Sequence, residues 1–322
     1  MIINNTWIRP MRRAGLLTIG LLSCWLMAAV QAATITDDRG VVVTLPEGAN
    51  RVVAISTFGS DLMLALGLKP SAVTSFGPFS RPDFLGPELT EVPVIGSRAQ
   101  VNMELLSEIA PDLILAIRRY TEKNASQFES IAPYMALDLV TLSDSLRGVQ
   151  LSGDILGKSA EAKELNKQFE QQLTEFKQRA PGGVSAALLV TSSETPFIYH
   201  DHFISADLLG YLNAENVGGA SATPEQAMPL GYRMGLEELL EQDPDVIFLF
   251  ASNKERAFTL NPIWPYLSAV RNGRVYEVGH HWKEAAGPQA RSLILQEMAH
   301  RLYPDHFTLP ALPAHIQSRP YH

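Results

Sequence analysis

The stretch NMELLSEIAPDLILA, residues 102–116, returns in altered form as GLEELLEQDPDVIFLF, residues 235–250. Advancing the first copy by 133 positions places Glu104 on Glu237, Leu106 on Leu239, Pro111 on Pro244, Asp112 on Asp245 and Ile114 on Ile247. Each copy reads as a short helix, a Pro-Asp turn and an unbroken apolar run. In the second copy Leu236, Leu239 and Leu240 take the i, i+3 and i+4 positions of one helical face, and residues 246–250 suit a strand buried on both faces of a parallel sheet. The repeated unit is either a duplicated module or two αβ units that converged on one pattern.

Strand and helix alternate outward from both copies. TITDDRGVVVTLP (34–46) reads as a hairpin with its polar turn at Asp37 to Gly40. RVVAIS (51–56) reads as a short buried strand, and SDLMLALGLKP (60–70) as a helix started near Ser60 and stopped at Gly67 and Pro70. SAVTSF, PDLILAI and MALDLV continue the strands, with SQFESIAPY as a helix before the last. The second half repeats the alternation through VSAALLVT, ADLLGYL, the second copy, PIWPYLSAV and RVYEVG to a closing helix in ARSLILQEMAHRLY. That order predicts an α/β fold of parallel, helix-covered sheets. Between the halves, residues 159–183 carry Leu165, Phe169, Leu173 and Phe176 at helical spacing among Lys, Glu and Gln, and end at Pro181-Gly182-Gly183. Such a helix spans roughly 30 Å and, not being rich in Gly or Ser, predicts a strut that permits small adjustments between two lobes.

The chain opens with Arg9, Arg12 and Arg13, then an apolar run from Ala14 to Val30 and the small-residue exit VQAA, the pattern of a secretory signal peptide cut near Ala32. The single cysteine, Cys24, lies inside this segment, where a lipid anchor is the alternative to removal. Removal of residues 1–32 takes three arginines and no acids, and moves the formal charge from −8 to −11. The remaining length, about 290 residues, buries a core without disulfides and divides naturally into two lobes. The acidic balance argues against nucleic acid and against an anionic bilayer as main partner. The expected organisation is a signal peptide over 1–32, an N-terminal lobe over 33–142, a segment with the long helix over 143–182 and a C-terminal lobe over 183–322.

Two αβ lobes, one connecting helix, the export signal and the doubled motif together resemble the class III periplasmic binding proteins, which capture ferric siderophores, haem and cobalamin for ABC importers. GSRAQVNMELLSEIAPDLILA (96–116), residues 235–250 and NPIWPYLSAVRNGRVYEVGHHW (261–282) look most like the ferric-citrate and ferric-hydroxamate binders. The resemblance covers nearly all of the chain after residue 32. It implies two Rossmann-like lobes joined by one long helix, a periplasmic location, a monomer, no resident cofactor, and a ferric siderophore handed to an inner-membrane ABC permease dimer with its cytoplasmic ATPase. It also implies that Glu104 and Glu237 dock onto arginines of the two permease halves.

Ligands of parallel sheets sit beyond the carboxyl ends of the strands. That rule selects Arg118, Arg119 and Tyr120 after PDLILAI, and His280, His281 and Trp282 after RVYEVG. Guanidinium groups suit the anionic oxygens of a ferric chelate, and Tyr and Trp supply flat apolar walls. By the resemblance Arg98 corresponds to the ligand-binding arginine of the hydroxamate binders, Tyr120 to their cleft tyrosine and Trp282 to a cleft tryptophan. The adjacent Arg118 and Arg119 point to a more anionic, carboxylate-type chelate, with Tyr232 and Arg233 expected to face them from the other lobe.

Haem or cobalamin capture is the alternative within the same class. A further rival is a metal-dependent hydrolase built on His200 and His202 of YHDHF, whose His-x-His spacing suits zinc but lacks evident supporting ligands. No Gly-x-Gly-x-x-Gly, Walker or Gly-x-Ser-x-Gly motif is present, and the expectation is a binding protein without catalytic residues or a dedicated metal site.

Overall fold

A computed structural model describes residues 33–45, 50–77, 81–190, 194–224, 226, 228–250 and 256–321. The signal-peptide and Cys24 readings lie outside these residues. Strands β1 (Ala33–Thr36) and β2 (Val42–Leu45) form the expected antiparallel hairpin. Its turn is drawn tight by Asp37 Oδ1, which accepts from the backbone N–H groups of Arg39 and Val41 at 3.0 and 3.2 Å. After them come β3 (Val52–Ile55), α1 (Thr57–Ala65), β4 (Ala72–Ser75), β5 (Val94–Ser97), β6 (Gln100–Val101), α2 (Met103–Ile109), β7 (Leu113–Ile117), α3 (Arg118–Thr121), α4 (Ala125–Glu129) and β8 (Tyr134–Leu137). The first large sheet runs β6-β5-β4-β3-β7-β8, parallel throughout except at the edge strand β6.

Helices α5 (Leu142–Ile155) and α6 (Ser159–Arg179) follow before the second sheet begins. The latter is the long helix read in the sequence, buried along Phe169, Leu173 and Phe176. The former was not anticipated, because Gly148, Gly153 and several serines dilute its helical signal. Those glycines serve packing. A Cβ on Gly153 would come within 2.2 Å of the Ala162 Cβ, so the two helices cross at a point where only glycine fits. The link between the sheets is thus a packed helical pair.

The second sheet is built from β9 (Val184–Val190), β10 (Phe197–Tyr199), β11 (Ala214–Asn216), β12 (Gly231–Arg233), β13 (Val246–Phe250), β14 (Val275–Val278) and β15 (Arg319–Pro320), in the order β12-β10-β9-β13-β14-β15 with β11 also paired to β9. Helices α7 (Ile204–Gly210), α8 (Leu236–Gln242), α9 (Ser268–Arg271) and α10 (Pro288–Leu302) connect and cover it. Here the expectation of purely parallel sheets needs correction, because β10, β12 and β15 are antiparallel to their neighbours. Strands of two or three residues carry too little periodicity to be read. The start of α1 also moves upstream of Ser60, since Ser56 Oγ accepts from Gly59 N–H at 3.1 Å and caps the helix there.

The doubled motif is doubled in three dimensions. Helices α2 and α8 both end on a left-handed residue, Ala110 (φ 48°) and Asp243 (φ 40°), 133 positions apart. In each copy the aspartate of the Pro-Asp turn ties the start of the neighbouring strand. Asp112 Oδ2 accepts from Arg51 N–H at 2.9 Å, and Asp245 Oδ2 from Ser185 N–H at 2.9 Å. The apolar runs become β7 and β13, buried at every residue and paired on both sides within their sheets. Between the sheets one core continues through Leu115 of β7, Val149 of α5, Phe169 of α6, Phe248 of β13 and Leu295 of α10.

Polar groups also cross between the lobes. Asp61 of α1 accepts from Gln289 and Ala290 N–H at 2.9 and 2.8 Å, capping the N-terminus of α10. Arg291, fully buried, donates to Ser145 Oγ of α5 and Asn166 Oδ1 of α6, both at 2.8 Å, over the Phe169 ring at 4.4 Å. Among the described residues no helix is long and apolar enough to cross a membrane.

Candidate functional site

The carboxyl end of β7 delivers Arg118, Arg119 and Tyr120 on the first turn of α3, and the structure parts the two arginines. Arg118 is claimed by structure, donating to the Asp38 carbonyl at 2.7 Å, to Glu122 at 3.0 Å and to Asp138 at 3.2 Å. Arg119 is exposed and lies with its Cζ 5.1 Å from the Tyr120 ring centroid, donating weakly to the Leu139 carbonyl at 3.4 Å. From the end of β5, Arg98 covers the same ring at 4.5 Å and donates through Nη2 to the Tyr120 hydroxyl at 3.3 Å. Arg98 and Tyr120, named separately in the sequence, are thus in contact, and Arg119 rather than Arg118 is the second cation on this ring.

The other lobe contributes Tyr199, Lys283 and Glu284. Tyr199, at the end of β10, is buried against Phe203 at 4.0 Å, and burial pushes its hydroxyl up to about 12, opposed by the charge of Arg119. Lys283 is held below the usual lysine range by burial and then by the neighbouring Arg98, with Tyr120 opposing. Glu284 forms an ion pair with Arg98. For Tyr120 itself burial acts upward, but the Arg98 and Arg119 guanidiniums outweigh it and hold the phenol below its ordinary value. The result is a half-buried phenol with the guanidiniums of Arg98 and Arg119 on its ring and a third cation, Lys283, within electrostatic reach. Planar donors and an ammonium around an aromatic floor can hold an anionic, multi-oxygen ligand through charge-assisted hydrogen bonds.

In the loop after β14, which the carboxyl-end rule selects, the structure turns the expected cleft residues His281 and Trp282 inward. His281 and Trp282 are both 0% exposed and cannot wall a cleft. Trp282 Nε1 donates to Glu297 Oε2 at 3.0 Å, and His281 Nε2 meets the same oxygen at 3.0 Å. The indole packs on Phe248 at 5.0 Å. A single 3-10 turn, His280–Lys283, turns these two rings into the core and leaves Lys283 only partly buried. The cue to Lys283 and Glu284 was their place directly after the selected trio.

Tyr232 and Arg233 need a similar correction. Tyr232 stands opposite Ile198 in the β10–β12 pair and packs with it on the face away from Tyr199. Its hydroxyl donates to Glu238 at 3.1 Å and its ring stacks on His200 at 5.3 Å. Arg233 is exposed at the sheet edge and donates to the Thr195 carbonyl at 3.3 Å. A one-residue alternation thus separates Tyr232 from the Tyr120 cluster. His200 and His202 stack at 6.0 Å, but His200 Nδ1 is 3.0 Å from the Gly218 carbonyl, which makes it a donor there. Among the described residues no group of three His, Cys, Asp or Glu side chains is arranged to hold a metal ion. Glu104 and Glu237 are exposed in the first turns of α2 and α8.

Comparison with known proteins agrees with this architecture. Residues 52–281 match the family model described as periplasmic binding protein. The chain is 25% identical over 294 residues to the "Probable siderophore-binding lipoprotein YfiY" of Bacillus subtilis (strain 168), across 84% of this chain and 88% of the relative. It is 26% identical over 267 residues to the Fe(3+) dicitrate-binding periplasmic protein FecB of Escherichia coli (strain K12), across 80% and 85% of the two chains. Staphylococcus aureus SirA, crystallised with staphyloferrin B, shares the fold at a TM-score of 0.69 and 21% identity, over 84% of this chain and 98% of that one. Two lobes on a helical pair, a doubled αβ module at corresponding places and a family match across most of the chain lead to one conclusion: this protein belongs to the periplasmic binding protein family.

Proposed function

We propose that this protein captures a ferric chelate of the carboxylate-siderophore type over Tyr120 and delivers it to an ABC permease for iron uptake. The observation that carries the reading is the stacking of Arg98 and Arg119 on one half-buried phenol at the carboxyl end of β7, with the Lys283 charge felt by both Arg98 and the phenol. Arg119 and Lys283 supply charge, Arg98 holds Tyr120 in place, and Tyr120 with Tyr199 gives the aromatic surface. Relatives named for siderophore and ferric-dicitrate binding support the ligand class. The lobes are taken as residues 33–142 and 183–322, with 143–182 between them. The export signal read in residues 1–32 supports action outside the cytoplasm, and Glu104 and Glu237 are assigned to the permease.

The test is calorimetric titration of the chain from residue 33 onward with ferric dicitrate, a ferric hydroxamate, haem and cobalamin. Ferric chelates are expected to bind, with haem and cobalamin weak or silent because their apolar faces do not suit three cations. Arg119→Ala is expected to weaken ferric dicitrate by about 1.5–3 kcal/mol, the loss of one charge-assisted contact. Haem or cobalamin binding above all ferric chelates would contradict the reading.

A further inference from the structure

We propose that Glu284 is a fixed counter-charge that sets how much negative charge the Tyr120 site accepts, an inference that rests on the chelate-binding reading above. Glu284 is buried and follows Lys283 directly on the loop after β14. Its Oε1 is ion-paired with Arg98 Nη1, and its Oε2 accepts from Thr57 N–H at 3.3 Å, at the N-terminus of the nine-residue helix α1. The carboxylate is therefore clamped between a guanidinium and the positive end of a helix. Swinging it away would leave a buried carboxylate and the Thr57 N–H without partners, so an incoming anion does not displace it.

Arg98 in consequence meets a ligand with both terminal nitrogens already engaged. Nη1 is engaged by Glu284 and Nη2 by the Tyr120 hydroxyl. Of the three cations around Tyr120, one is neutralised where it stands, and Arg119 and Lys283 remain to meet the ligand. A site of this kind favours a chelate of modest negative charge. It gains little from an uncharged one and balances a highly charged one incompletely.

The experiment compares affinities for ferric dicitrate and for ferrichrome, an uncharged ferric trihydroxamate, in wild type, Glu284→Gln and Glu284→Asp. The Gln side chain keeps a carbonyl acceptor for Thr57 N–H, and thermal melts report whether each variant folds. In Glu284→Gln the ratio of dicitrate to ferrichrome affinity is expected to rise about tenfold, from removal of one negative charge close to the ligand. Glu284→Asp keeps the charge and should stay within about twofold of wild type. Lys283→Gln deletes a cation instead and should move the ratio about tenfold the other way, which keeps the test alive if Glu284→Gln does not fold. An unchanged ratio, or equal shifts in the Gln and Asp variants, overturns the counter-charge while leaving chelate binding intact. If wild type binds neither chelate, the functional reading falls and this inference with it.

Discussion

Trp282 shows how a single residue can be right in its surroundings and wrong in its role. It follows a strand end, as a cleft residue should, yet its indole is wholly buried and donates to Glu297. Trp282→Ala is therefore expected to cost about 3–5 kcal/mol of stability by cavity formation and by loss of a donor to a buried carboxylate. Urea unfolding measures this, and in whatever fraction remains folded, chelate affinity should fall far less than in Arg119→Ala. Asp207 offers a titratable counterpart. Burial, helped by Asp201, raises its carboxyl to about 6. The folded value lies above the unfolded one, so protonation favours the fold: the contribution is fully present below the unfolded pKa, near 4, and is lost as pH rises through about 6. Asp207→Asn should accordingly stabilise the protein at pH 7 by about 1 kcal/mol after allowance for partial exposure, with the gain vanishing at pH 4 in paired thermal melts.

At the scale of elements, the doubled unit sets α2 and α8 in matching positions of two sheets, each presenting one aligned glutamate to solvent. Glu104→Ala and Glu237→Ala should leave chelate affinity unchanged and slow uptake, with a larger loss in the double variant and a wild-type interaction that weakens with salt. The control is Glu238→Gln, whose position in the first copy is Leu105 and which keeps an acceptor for the Tyr232 hydroxyl. Uptake assays with radiolabelled ferric chelate decide the matter: equal loss in the control would assign the effect to general acidity. The elements that carried this pairing were also the legible ones. β7 and β13 are five-residue apolar runs, and α6 has six turns of regular spacing, so pattern and packing agree. β10, β12 and β15 are short antiparallel strands, two of them at the sheet edges, and α5 hides behind Gly148, packed on Phe58 and Leu139, and Gly153, required by the crossing with α6; their formation depends on partners distant in sequence. The same distinction runs through the site. Arg98, Arg119 and Tyr120 follow from strand ends and family resemblance, whereas Lys283 and Glu284 are set by one turn of 3-10 helix that sequence periodicity does not encode.

Across the whole molecule, the two lobes are joined by more than the helical pair. Arg291 links α10 to α5 and α6, Asp61 caps α10 from α1, and Glu284 and Arg98 meet across the loop beside the site. These ties oppose a change of lobe angle, and the proposed function therefore takes the site at Tyr120 as largely formed before its ligand arrives. Such a cleft should prefer a ligand already closed around its metal to the same ligand in extended form. The most direct measurement is the affinity of the protein for ferric dicitrate beside that for iron-free citrate, by calorimetry at equal pH and ionic strength. The account predicts measurable binding of the ferric complex and at least about tenfold weaker binding of citrate alone; equal affinities, or no binding of the ferric complex, would contradict it.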